Sequence, residues 1–146
     1  MPKALIIYTT RTGKTREIAD SIAEGLRAAG AEVKTIDAKN VKNEADLAGY
    51  DAYVFGSPTY HGEMMQAMKT MLFLAERANL SGKVGGAFGS YGWSGEAPER
   101  IYNTMKNIFN MDMASTALRV KSPAPAGGLQ QVAQAYGRDV GQRIKS

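Results

Sequence analysis

The sequence predicts an α/β fold, a doubly wound five-stranded parallel sheet with helices on both faces. Two observations carry this prediction. Short apolar runs alternate with longer segments whose apolar residues recur at helical spacing, and glycine or proline punctuates the junctions. Strand and helix taken in turn imply parallel strands joined by right-handed crossovers.

Lys3 to Tyr8 reads as a buried strand. Gly13 to Ala29 reads as a helix, with Ile18, Ile22 and Leu26 on one face and Gly30 stopping it. Glu32 to Asp37 alternates, with Val33 and Ile36 flanking polar positions, and is the second strand. Ala38 to Tyr50 is polar and ends the unit. Asp51 to Gly56 is the third strand, bounded by Gly56-Ser57-Pro58. Met64 to Ala78 is helical, with Met64, Met68, Met71, Leu72 and Ala75 along one side. The cluster Met64, Met65, Met68 and Met71 is expected to pack in the core rather than to form a docking surface. Asn79 to Gly82 turns the chain into a fourth strand, Lys83 to Phe88. Glu96 to Phe109 is a third long helix carrying Ile101, Met105, Ile108 and Phe109. Ala114 to Val120 is the fifth strand. Pro123, Pro125 and Gly127-Gly128 form a loop, and Leu129 to Ile144 is a closing helix with Val132, Tyr136 and Val140 at helical spacing. No linker, low-complexity tract or sequence repeat is visible, and one domain over residues 1–146 is expected.

The composition narrows the chemistry. The chain has 146 residues, no cysteine and one histidine, His61. Thiolate catalysis, disulfides, cysteine-held metal or iron–sulfur sites and multi-histidine metal sites are excluded. Redox chemistry would have to come from a bound organic cofactor. The formal charge is +4. Lys and Arg are spread without a run of five or six, so nucleic acid is not expected as a partner. No apolar run approaches the ~20 residues that span a bilayer. Met1-Pro2-Lys3 leads straight into a strand without a signal-peptide pattern, and a cytoplasmic location is expected.

In such folds ligands bind beyond the carboxyl ends of the strands. After the first strand comes Thr9-Thr10-Arg11-Thr12-Gly13-Lys14-Thr15. After the third comes Ser57-Pro58-Thr59-Tyr60-His61-Gly62, and after the fourth Gly89-Ser90-Tyr91-Gly92-Trp93-Ser94-Gly95. These segments are rich in glycine, hydroxyls and aromatics, and the fold places them at one edge.

Gly13-Lys14-Thr15 ends as a nucleotide-triphosphatase P-loop ends. The first glycine of that motif would fall at position 8, which is Tyr8; Asp51 sits at the wrong end of the third strand to help hold magnesium, and Asp37 ends a second strand whose Val33-Lys34-Thr35-Ile36 reads as poorly buried. A hydroxyl-lined cradle is the alternative. Thr10, Thr12 and Thr15 can each donate to a phosphate oxygen, Gly13 lets the backbone approach, and the helix N-terminus favours an anion. Arg11 and Lys14 would add charge or point into water. The same threonines would also serve as ordinary turn and N-cap residues. Tyr60 and Trp93, at the tips of the other loops, suit a planar ring held between them. Trp93 packed against its own helix is the competing arrangement.

Thr10-x-Thr12-Gly13-x-Thr15, Ser57-Pro58-Thr59-Tyr60 and Gly89-Ser90-Tyr91-Gly92-Trp93-Ser94-Gly95 resemble the three FMN-binding loops of short-chain flavodoxins. The second and third loops are most similar to the flavodoxin domain of flavodiiron proteins, where it is fused to a metal-bearing oxygen or nitric oxide reductase. No such partner domain is expected here. The resemblance implies strand order 2-1-3-4-5 and a flavodoxin-like fold. It implies a low-potential electron carrier between redox partner proteins, a monomer, with no catalytic residue of its own and FMN held non-covalently. Thr9, Thr10, Arg11, Thr12, Gly13, Lys14 and Thr15 would bind the phosphate. Ser57, Pro58, Thr59, Tyr60, His61 and Gly62 would flank the ring on one side, with Tyr60 stacking. Ser90, Tyr91, Gly92, Trp93 and Gly95 would cover the other, with Trp93 the stacker and Tyr91 its substitute. The peptide that flips on flavin reduction would be His61-Gly62, since glycine reaches positive φ cheaply. His61 itself reads as a solvated loop residue rather than a proton donor.

Two departures matter. Lys14 stands where many flavodoxins have asparagine, and the chain is basic where flavodoxins are typically acidic. A basic chain suggests an acidic redox partner and a less negative second one-electron potential. An FMN-dependent NAD(P)H:quinone oxidoreductase of related fold is the rival function, although the longer loops of those enzymes are missing. A phospho-acceptor receiver domain would need acids where Thr9-Thr10 and Gly56-Ser57 stand.

Overall fold

A computed structural model describes residues 2–59, 63–91, 95–121 and 128–145. The elements run β1 (Lys3–Tyr8), α1 (Lys14–Ala28), β2 (Glu32–Asp37), β3 (Ala52–Gly56), α2 (Gln66–Arg77), β4 (Val84–Tyr91), α3 (Glu96–Asn103), β5 (Asp112–Met113), β6 (Leu118–Lys121) and α4 (Gly128–Lys145). Strand order is β2-β1-β3-β4-β5, with β6 also pairing β4, and every pairing is parallel.

Alternation along the central strands sorts the apolar residues onto two faces. Leu5, Ile7, Tyr53 and Phe55 pack against α2, α3 and the turn after α3 through Met68, Met71, Leu72, Ile101 and Met105. Ala4, Ile6, Val54 and Phe88 pack against α1 and α4 through Ile18, Ile22, Leu26, Tyr136 and Val140. Each central strand is covered on both faces, as a parallel sheet requires. Of the four clustered methionines, Met64, Met68 and Met71 are buried in the core and Met65 is half-buried.

Several segments depart from expectation. The fifth strand, expected as Ala114 to Val120, is two short pieces, β5 and β6, separated by residues 114–117. β4 runs to Tyr91 rather than stopping at Phe88, because β6 pairs with its end: Phe88 stands opposite Leu118 and Tyr91 opposite Lys121. The polar stretch after β2 folds into two 3-10 turns, Ala38–Asn40 and Glu44–Leu47, which bury Leu47 completely. The third helix changes to a π turn over Thr104–Ile108, which leaves Ile108 exposed while Met105 and Phe109 stay buried. Val132 of α4 is exposed too, and Ala133 takes the buried position.

Candidate cofactor site

β1, β3 and β4 end side by side, and their ladder continues into the following loops. Thr9 N–H donates to the Gly56 carbonyl at 3.0 Å, Ser57 N–H to the Phe88 carbonyl at 3.2 Å, and Thr59 N–H to the Ser90 carbonyl at 3.0 Å. The segments read as separate loops are therefore tied edge to edge. Gly89 permits this approach, since a Cβ there would stand 2.1 Å from the Ser57 carbonyl oxygen.

The first loop turns on Gly13, whose φ of 90° lies in the left-handed region that glycine enters without steric cost. Its N–H donates to Thr10 Oγ1 at 2.9 Å, so the Thr10 hydroxyl shapes the loop from within. α1 starts immediately afterwards and has no side-chain cap. The first bond of the helix runs from Glu17 N–H to the Gly13 carbonyl at 3.0 Å, so the N–H groups of Lys14, Thr15 and Arg16 have no partner within the helix. Arg11 and Thr12 are exposed at the loop's outer side. Lys14 folds back onto Glu17 at 3.2 Å, so its charge is partly matched by its own helix. A P-loop lysine would instead reach forward over the phosphates.

Thr15 is buried, and its Oγ1 lies 3.2 Å from Ser90 Oγ on β4. Ser57 and Thr59 also turn their hydroxyls inward. Ser57 Oγ accepts from Met65 N–H and donates to the Pro58 carbonyl, both at 3.0 Å. Thr59 Oγ1 accepts from Ala97 N–H at 3.0 Å, so the second loop caps the first turn of α3. Tyr91 and Gly95 are half-buried at the two ends of the third loop. The expected site residues Tyr60, His61, Gly62, Gly92 and Trp93 lie outside the described residues.

Thr9 supplies an unusual group. Its side chain is 2% exposed, and Oγ1 has no hydrogen-bond partner among the described residues. A buried hydroxyl without a partner costs roughly 1–3 kcal/mol. The orphaned hydroxyl, the uncapped helix end and the outward Thr12 together form a donor set with no cation required. This set fits a phosphate monoester, which offers acceptors only. Sequence reading did not single out Ala97 or the capping role of Thr59. The signal available was a threonine three residues beyond a strand and an acidic helix start, which is common in turns.

Comparison with known proteins follows the same line. The chain is 32% identical over 132 residues to a putative diflavin flavoprotein of Thermosynechococcus vestitus, which covers 88% of this chain and 23% of that protein. It is 28% identical over 123 residues to the rubredoxin-oxygen oxidoreductase of Megalodesulfovibrio gigas, covering 82% of this chain and 30% of that protein. The chain thus spans about a quarter to a third of these relatives. A solved flavodoxin from the domain Archaea superposes with a TM-score of 0.92 at 31% identity, covering 99% of both chains. The flavodoxin family matches residues 6–136, and the chain belongs to that family, whose cofactor is FMN and whose work is electron transfer.

Proposed function

We propose that residues 1–146 form one flavodoxin domain that carries electrons on non-covalently bound FMN between redox proteins. The observation that carries this reading is the uncapped N-terminus of α1 beneath the Thr10–Thr15 loop, with Thr15 joined to Ser90 of the third loop. FMN supplies the one-electron chemistry when bound. The chain's residues bind and orient it. Thr12 and the N–H groups of Lys14, Thr15 and Arg16 hold the phosphate, Thr10 shapes their loop through the Gly13 N–H, and Thr15 joins the cradle to β4. Ser57 and Thr59 brace the second loop through their bonds to Met65 and Ala97. Tyr60, Trp93 and Tyr91 are assigned to the ring and exclude water from it.

The charge of +4 sets a second property. Positive potential favours added negative charge at the site. The second one-electron potential is therefore expected to be less negative than in acidic family members, and the redox partner to be acidic. A redox titration that gives an equally low potential counts against the first point.

The test is the affinity of the apoprotein for FMN and for riboflavin, which lacks the phosphate. Thr12→Ala should weaken FMN binding about tenfold, the worth of roughly one charge-assisted hydrogen bond, and leave riboflavin binding unchanged. Equal losses for both ligands, or no visible flavin spectrum in the reconstituted wild type, would remove this reading. Steady turnover of NAD(P)H with a quinone by the purified holoprotein would favour the oxidoreductase instead.

A further inference from the structure

Among the described residues β6 pairs with β4 alone, in the register Gly89 opposite Arg119, Ser90 opposite Val120 and Tyr91 opposite Lys121. Side chains alternate along it. Val120 is buried on the face covered by α1 and α4. Arg119 and Lys121 share the opposite face, both exposed and about 7 Å apart by strand geometry. The stem of Arg119 lies against the close of the third loop. A Cβ at Gly95 would stand 3.2 Å from Arg119 Cδ and 3.2 Å from Tyr91 Cδ1.

What sets these two cations apart is their place beside the third loop. Lys14 is matched by Glu17, Lys69 and Arg100 by Glu63, and Arg143 by Asp112. The side chains of Arg119 and Lys121, like those of Arg16, Arg27, Lys39, Arg77 and Lys83, have no ion-pair or hydrogen-bond partner among the described residues. The acid on the neighbouring edge strand, Asp112, is engaged by both Nε and Nη2 of Arg143, at 2.9 and 2.8 Å. Two like charges on one strand face repel each other. Beside the third loop they raise the local potential where a partner must approach for electron exchange.

We propose that Arg119 and Lys121 are the docking site for an acidic redox protein, one that presents a pair of surface carboxylates. The position, beside the ring-covering loop, rests on the FMN reading above; the electrostatics do not. Docking of this kind is steered by charge, so it acts mainly on the association rate and fades with salt.

The probe is cytochrome b5, an acidic haem protein. Its binding to FMN-loaded wild type, to the double variant Arg119→Glu with Lys121→Glu, and to a control pair at the amino end of the sheet, Lys3→Glu with Lys34→Glu, is titrated at low and high salt. Haem reduction by the dithionite-reduced holoprotein is followed by stopped flow. At an ionic strength of about 0.02 M, the β6 variant should bind at least tenfold more weakly and reduce the haem correspondingly slower. The control should stay within about twofold, and the differences should vanish near 0.5 M. The milder Arg119→Ala with Lys121→Ala pair should fall between and shows that the loss is not misfolding. Equal effects in the β6 and control variants, or no binding of cytochrome b5 to wild type at low salt, overturn the proposal. The same titration on apoprotein separates the two readings, because a chain without flavin still carries or lacks this docking site.

Discussion

The hydroxyl of Tyr136 makes both of its bonds to one residue, accepting from the Ala87 N–H at 3.0 Å and donating to the Ala87 carbonyl at 3.1 Å. Ala87 lies on β4 opposite the interval between the two pieces of the fifth strand. β5 pairs with Val84 and Gly85, and β6 begins at Phe88. Both buried backbone groups need partners. A side chain from α4 supplies them where the strand does not. Gly86 makes the room, since a Cβ there would stand 3.1 Å from the tyrosine ring and from its hydroxyl.

Tyr136→Phe keeps the ring and removes the only partner that the hydroxyl gives Ala87. Two buried backbone groups are then left without bonds, and the expected loss is roughly 2–3 kcal/mol. For a chain of this size that lowers Tm by on the order of 5–10 °C. Urea unfolding with an unchanged m-value checks it. A loss below about 0.5 kcal/mol would mean that water enters and bridges the gap.

The same residue gives stability an alkaline limit. Burial pushes the Tyr136 hydroxyl far above the usual tyrosine range, and burial also raises Tyr53. Above pH ~10 the unfolded chain releases protons that the native state keeps. The unfolded state then binds fewer protons, so unfolding free energy falls as pH rises; the contribution is complete below the unfolded pKa. Tyr136→Phe removes one such group. The stability gap between wild type and variant should therefore narrow by about 1 kcal/mol between pH ~9.5 and ~11. Urea midpoints that run parallel over this range would contradict the assignment.

Why the fifth strand was misread follows from the same geometry. Residues 114–117 read Ala-Ser-Thr-Ala, and no glycine or proline marks the break before Leu118 to Val120. At the break Tyr136 of α4 bonds the Ala87 backbone, a contact that joins residues 49 apart in sequence. Gly89-Ser90-Tyr91 looked like loop because glycine and serine are poor strand formers. Pairing with Arg119 to Lys121 holds them extended regardless. The first four strand positions and most of the helix faces are legible, because buried parallel strands and amphipathic helices write their own periodicity, but Ile108 and Val132, expected on apolar faces, are exposed. Ile18, Ile22 and Leu26 are each fully buried, as their spacing required. The cofactor loops were legible as a set from glycine and hydroxyl content, but not in detail. Whether Ser57 and Thr59 point outward or cap the neighbouring helix depends on Met65 and Ala97, which no spacing rule connects to them.

α1 and α4 meet through glycines, and this seam is predicted to be intolerant. A Cβ at Gly137 would stand 2.1 Å from the Ile22 carbonyl oxygen and 2.9 Å from the Leu26 nitrogen. At Gly25 it would stand 2.0 Å from the Gln134 carbonyl oxygen. These are backbone atoms, which cannot swing aside as a side chain can. Alanine gains about 1 kcal/mol of helix propensity at each site. Separating two packed helices loses more, so Gly137→Ala is expected to destabilise by roughly 1–3 kcal/mol net. Thermal unfolding decides the sign, and a raised Tm would mean that the helices slide apart without loss.

Thr15 and Ser90 are 75 residues apart in sequence and 3.2 Å apart at their hydroxyls, which joins the first loop's helix to the strand that leads into the third loop. Both side chains are buried, so removing one hydroxyl strands the other. Thr15→Val and Ser90→Ala should each cost the apoprotein about 1 kcal/mol. The double variant should lose less than the sum, with a coupling of roughly 0.5–1 kcal/mol, because the second change removes a group already left alone. FMN affinity supplies an independent reading. If Thr15 holds the end of α1 in register with β4, Thr15→Val weakens FMN binding even with the rest of the phosphate loop intact. Strict additivity in stability would show that the hydroxyls stand near each other without bonding, and the cradle and the third loop would then be independent halves.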